Sequence, residues 1–174
     1  MASRLPATYP FVPRSTASLV PGQFWAIPLS DGSFGCGRVI ETKPPGSTGA
    51  RVLFLAAVLD WHAGAPPTSD AIAGAKCLDQ GQAHLKAITE TGGSILGHRP
   101  LELDNIEPWE FRGAQFHVNS CVYRGMVPLR PQQPTDQALP VLSTWGYQVP
   151  VVIAERHFRK SLYRHYLVVF HWLG

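Results

Sequence analysis

The sequence contains no apolar run approaching the ~20 residues of a membrane span. Its N-terminus carries no signal-like stretch either, because Pro6, Pro10, Pro13 and Arg14 interrupt it. Only three cysteines occur, Cys36, Cys77 and Cys121. Odd in number and widely spaced, they exclude a disulfide framework and a C-x-x-C or zinc pattern, and point to reduced thiols in a cytoplasmic chain. There is no G-x-S-x-G, no P-loop and no dinucleotide fingerprint. Charged residues are 16% of the chain and no block of like charge stands out, so a disordered polyelectrolyte is excluded. There is no internal repeat.

Proline and glycine, by contrast, are abundant at 16 each, which favours short elements and many turns. A chain of 174 residues suits one domain, and burying roughly 70% of its unfolded surface needs no metal or disulfide. Residues 1–20 read as an extended N-terminal arm ending at Pro21-Gly22, and 21–174 as a single α+β domain. The expected fold is a strongly bent antiparallel sheet that opens with a β-hairpin and is flanked by a few short helices.

The hairpin is the clearest local signal. Phe24 to Leu29 and Phe34 to Ile40 are apolar runs separated by Ser30-Asp31-Gly32-Ser33. Asp-Gly suits both central positions of a two-residue type I′ turn, which need positive φ. That loop pairs Leu29 with Phe34, Ile27 with Cys36 and Trp25 with Arg38 on a bulky face. It pairs Pro28 with Gly35, Ala26 with Gly37 and Phe24 with Val39 on a slim one. Trp25 opposite Arg38 suggests a cation–π contact. Pro28 lacks a ladder donor, so it marks an edge or a break.

Further along, Val52 to Leu59 is apolar on both faces and reads as a central strand covered on both sides. Thr68 or Ser69 can cap a helix over about Asp70 to Leu78, with a second helical or irregular piece near Gln82 to Ile88. Ser94 to Gly97, His117 to Tyr123 and Gly125 to Leu129 read as short strands. Arg130 to Pro140 reads as a loop, and Val149 to Ile153 as the start of a strand or helix. Phe158, Leu162 and Tyr166 space a helix over Glu155 to Arg164, and Tyr166 to Trp172 suits a last strand.

Charge is distributed unevenly. The net charge is +3, and the segment from Val151 onward carries all of it through Arg156, Arg159, Lys160 and Arg164 against Glu155. Glu102, Asp104, Glu107 and Glu110 form an opposite, acidic cluster. Both sets are candidate partner-binding residues, since such polarity steers charged partners. Either could equally be a solvated face. Tyr163 and Tyr166 beside the basic run raise nucleic-acid binding, but the low overall charge and a pI of 8.9 argue against it. Histidine spacings match no H-E-x-x-H or zinc pair, and Asp60-Trp61-His62 could orient an imidazole, but adjacent residues on a strand point to opposite faces. A small metal-dependent hydrolase built on His and carboxylates is therefore the third reading, after binding and nucleic-acid modules.

The segment Pro21-Gly22-Gln23-Phe24-Trp25-Ala26-Ile27-Pro28-Leu29, with Asp31-Gly32-Ser33-Phe34-Gly35-Cys36-Gly37-Arg38-Val39, resembles the opening hairpin of the immunity protein 26 family of bacterial polymorphic-toxin systems. Val52 to Leu59 stands where that family has its next apolar strand, and Ile95 to Leu101 is similar to a later short segment. The resemblance covers residues 21–60 well and 90–125 loosely, and leaves the arm and the basic C-terminal segment unmatched. It implies an antitoxin-like protein that binds and occludes a cognate toxin, with no enzyme activity and no cofactor. It carries over no toxin-contacting residue.

Overall fold

The structure is a computed structural model that describes residues 8–114 and 120–170, with side chains as far as Arg159. Its centre is a six-stranded sheet. In chain order the strands are β1 (Gln23–Pro28), β2 (Phe34–Thr42), β3 (Leu53–Ala63), β4 (Cys77–His84), β5 (Ile95–His98) and, much later, β9 (Thr144–Trp145). They lie side by side as β5-β1-β2-β3-β4-β9, antiparallel except for the parallel β4–β9 pair. A three-stranded antiparallel sheet, β6 (Glu110–Arg112), β7 (Cys121–Arg124) and β8 (Val127–Pro131), sits apart from it. Two α-helices, α1 (Lys86–Thr89) and α2 (Val149–Phe170), and short 3₁₀ turns at Thr16–Ser18, Leu101–Asp104 and Pro134–Ala138 complete the fold. The architecture is α+β, as expected, and the sheet does not close.

The large sheet is covered on both faces, and β3 shows why. Its alternate residues Phe54, Ala56 and Val58 face one core, with Trp25, Ile27, Val39 and Ile88. Leu55, Ala57 and Leu59 face another, with Phe24, Cys36, Leu101, Ile106 and Phe111. All six β3 residues are fully buried, which is the doubly covered strand that the apolar run describes. Each such aliphatic side chain contributes about 1.5–3 kcal/mol when removed from water. Ala154 of α2 and Leu19 of the N-terminal segment close the first core. Phe11 bridges to Ile95 through two backbone bonds of 3.1 and 2.9 Å, so this segment also extends the sheet edge beyond β5. Buried Gln23 anchors it by accepting from the Val20 N–H at 3.0 Å and donating to Tyr9.

The hairpin forms, but in a register one residue from the Asp-Gly expectation. Pro28 pairs with Phe34, Ile27 with Gly35, Ala26 with Cys36, Trp25 with Gly37 and Phe24 with Arg38. The loop is three residues, Ser30 to Gly32. The Gly32 N–H bonds back to Leu29 O at 3.1 Å, and the Leu29 N–H bonds to Ser33 O at 2.9 Å. Gly32 takes φ +85°, the left-handed residue that follows a type I turn in three-residue hairpins. Asp31 supports the turn by accepting from the Ser33 N–H at 2.9 Å.

A one-residue shift moves every side chain to the opposite face. The bulky and slim faces therefore do not exist as such. Trp25 lies over Gly37, where any Cβ would meet its indole ring, and Ile27 pairs with Gly35, so on that face large side chains of β1 meet glycines of β2. Trp25 and Arg38 point to opposite faces, and the cation–π pair is replaced by another partner for Arg38. Pro28 ends β1 on the exposed side of the β5 pairing, consistent with its missing donor.

Three further expectations change. Thr68 caps only one turn, through the Ala71 N–H, before Gly74 at φ +75° stops it. Cys77 then enters β4 instead of ending a helix. Gln82 to His84 continues that strand, with α1 following. The final strand at Tyr166 to Trp172 is absent as far as Phe170, because α2 runs through it; residues 171–174 lie outside the described residues, as do 117–119 of the strand expected over His117 to Tyr123.

Candidate partner-binding surface

The acidic cluster is built on the Leu101–Asp104 3₁₀ turn. Side chains three apart eclipse in a 3₁₀ helix, so Leu101 and Asp104 share the inward side. Leu101 packs in the second core, and Asp104 reaches beneath it to Arg38 of β2. Both charged side chains are 0% exposed, with Arg38 Nη1 2.6 Å from Asp104 Oδ2. Arg99 Nε donates to both carboxylate oxygens at 3.0 Å, and the Gly74 N–H donates to Oδ1 at 2.9 Å. Arg38 Nη2 also donates to Arg99 O at 2.5 Å and Pro100 O at 3.2 Å. Burial opposes charge on Asp104, but the Gly74 N–H and the two guanidinium groups outweigh it and hold the carboxyl below its ordinary pKa. Among the described residues Arg38 Nε, like Trp25 Nε1 and Gln132 Nε2, is buried without a hydrogen-bond partner.

The turn closes with Asn105 in the left-handed region, φ 51°, and the Ile106 N–H bonding to Leu101 O at 3.1 Å. Leu101 and Ile106 are buried on either side, and between them Leu103 projects into solvent, 62% exposed. Leu103, Asn105, Glu107 and Trp109 form one wall of a groove of about 400 Å³, and Gly74, Lys76 and Cys77 form the other. Gln80 of β4 lies in its floor. Gln80 accepts from the Trp109 N–H at 3.0 Å and donates to Glu107 O at 2.9 Å, standing in for a neighbouring strand. Burial pushes the Cys77 thiol up in pKa, so it is a poor nucleophile.

This geometry divides the four acidic residues. Asp104 is an internal counter-ion and faces no solvent. Glu107 is exposed but paired with Arg124 at 2.5 Å. Glu102 and Glu110 are exposed. The residue that composition alone passes over is Leu103. Its signal is the Leu-Glu-Leu-Asp order, in which only one of the two leucines shares the inward side with Asp104.

The basic set lies on α2. Arg156 is exposed, whereas Arg159 pairs with Glu155 at 2.9 Å and donates to Ser30 Oγ. Glu155 in turn accepts from the Ser30 N–H at 2.6 Å, and that bond holds its pKa down. Arg159 thus helps tie α2 to the hairpin loop. The side chains of Lys160 and Arg164 lie outside the described residues.

The histidines near α2 serve docking as well. His62 stacks on Phe158 at 4.9 Å and bonds to Ser33 Oγ at 2.7 Å, while His157 reaches Asp60 at 3.1 Å. Ser33, His62 and Asp31 are neighbours, but Asp31 accepts from the Ser33 N–H and hydroxyl and not from the imidazole, so the three are not arranged as a Ser-His-Asp relay. Among the described residues no three His, Cys, Asp or Glu side chains are grouped to hold a metal, and no helix is long and apolar enough to cross a membrane.

No curated protein and no solved structure is a match to the chain. The immunity protein 26 family matches residues 20–122, which span the hairpin, β3, β4, the 3₁₀ turn and both walls of the groove. That is more than half of the sequence, and the chain belongs to the immunity protein 26 family.

Proposed function

We propose that the chain is the immunity protein of a bacterial polymorphic-toxin system, which binds a cognate toxin domain in the cytoplasm and occludes it without chemistry or cofactor. The observation that carries the surface is Leu103, an exposed apolar side chain on a turn held rigid from beneath by a buried ion pair. Anchored apolar groups at the mouth of a groove make efficient contacts, because little entropy is lost on binding. Trp109 lines the same groove, and Glu102 and Glu110, beside a Glu107 already paired with Arg124, supply negative charge around the turn that suits a toxin with a basic face. Arg156, with Arg159, Lys160 and Arg164, is the second candidate contact. Its weaker standing comes from Arg159, which is already occupied by Glu155 and Ser30.

The test is co-expression with the toxin-domain candidate encoded beside this gene. The expected result is restored growth of a cell poisoned by that domain and co-purification of the two chains. Continued killing with no complex would sink the reading.

A further inference from the structure

We infer that Asp104 and Gln80, both buried, are positioning residues that set the width of the groove and the stance of Leu103. The binding surface is then specified from inside the core as well as by the side chains that touch a partner. For its binding consequence this rests on the function proposed above. The geometry of the clamp does not.

The case begins with where each side chain's bonds go. Asp104 belongs to the Leu103 wall, yet Oδ1 takes the Gly74 N–H of the opposite wall at 2.9 Å. One carboxylate thus ties the two walls to each other and, through Arg38, to β2. At the other end Gln80 holds Glu107 O and the Trp109 N–H, so the Leu103 wall is pinned at both ends. Between the pins the backbone turns through left-handed Asn105, and Leu103, immediately before the first pin, is 62% exposed. Releasing either pin frees the wall without touching a solvent-facing contact.

Cys77 reports on this directly. It lines the groove, whereas Cys36 of β2 is fully buried in the core beneath. Local opening exposes Cys77 alone, and global unfolding exposes both thiols. Gln80 Nε2 also lies 3.7 Å from Cys77 Sγ, and this contact lowers the thiol pKa. Removing it would by itself slow thiolate chemistry, so faster labelling reports relief of burial, that is, opening of the groove.

The experiment compares N-ethylmaleimide labelling of Cys77 and Cys36, read by peptide mass spectrometry, in the full chain carrying Gln80→Met or Asp104→Asn. Ile88→Val, in the opposite core, serves as the control. Gln80→Met should raise Cys77 labelling at least tenfold while Cys36 stays at the control rate, and Asp104→Asn should do the same if it folds. Equal acceleration of both thiols, or no acceleration in Gln80→Met, would overturn the inference. Binding of the co-encoded toxin domain is scored separately. Gln80→Met should raise its dissociation rate about tenfold, and combining it with Leu103→Ala should cost less than the product of the two single losses. Multiplicative losses would show that the groove's shape does not act through Leu103 and would overturn the inference. If the wild-type chain does not bind that domain at all, the function proposed above falls, while the labelling result still decides the clamp.

Discussion

Replacing Arg38 with methionine is expected to destabilise the protein by about 3–5 kcal/mol, because it leaves a buried carboxylate short of its main counter-ion. Asp104 keeps Arg99 and the Gly74 N–H, which places the loss toward the lower end. The double variant Arg38→Met with Asp104→Leu should recover much of that loss. A buried ion pair replaced by well-packed apolar groups is often neutral, and the double change also removes the partnerless Arg38 Nε. Urea denaturation of the four combinations measures the coupling. Its pH dependence follows from the sign of the Asp104 shift. The folded pKa lies below the unfolded value, so the stabilisation is fully present above about pH 4–5 and is lost as pH falls through the folded pKa. Arg38→Met removes a group that lowers the pKa, so the gap between wild type and variant should be largest near neutrality and shrink below pH 4. A gap that stays constant from pH 7 to pH 3 would contradict the assignment.

Leu103→Asp is expected to weaken toxin binding at least 100-fold, about 2.7 kcal/mol or more, while unfolding stability changes by less than about 0.5 kcal/mol. The substitution puts a desolvated charge at the centre of the contact and next to Glu102, and removes the only strongly exposed apolar group described on that turn. Because the side chain is 62% exposed in the unbound protein, its removal leaves no cavity. Glu102→Gln should instead act mainly on the association rate and its salt dependence, as rim charges do. Calorimetric titration against the toxin domain, with thermal unfolding in parallel, separates the two effects. Undiminished binding by Leu103→Asp would move the interface elsewhere, with the basic face of α2 the first place to look.

Much of the scaffold is legible in the residues, for reasons the structure makes plain. Leu53 to Leu59 is apolar at every position because β3 is sandwiched between two cores. The hairpin is equally visible, but its register is not. Asp31 and Gly32 fit a two-residue loop, yet the Asp31 side chain stabilises a type I turn by bonding to Ser33, and one more residue enters the loop. That single residue carries Arg38 from beside Trp25 to the far face, where Asp104 waits 66 positions later. The helix expected near Asp70 has a true cap in Thr68 but loses to β3, which recruits Cys77 to His84 as a neighbour. At the other end, the β-prone Tyr166 to Phe170 stays helical, since extending an existing helix is easier than starting a strand with no edge to join.

The proposed surface is half legible. Charge points to the stretch around Glu102 to Glu110 as a candidate. It does not reveal the character of that stretch, because Asp104 reads like its acidic neighbours until the fold turns it inward. The division between inward Asp104 and outward Leu103 depends on 3₁₀ phasing across four residues, which sequence spacing alone does not distinguish from an α-turn or a loop.

The most direct measurement is amide hydrogen exchange of the protein alone and saturated with its co-encoded toxin domain. The account predicts added protection concentrated at Gly74 to Cys77 and Glu102 to Glu110, the two walls of the groove, with little change along Val151 to Arg159 of α2. Protection confined to α2, or spread evenly with none at Leu103 and Asn105, would contradict it.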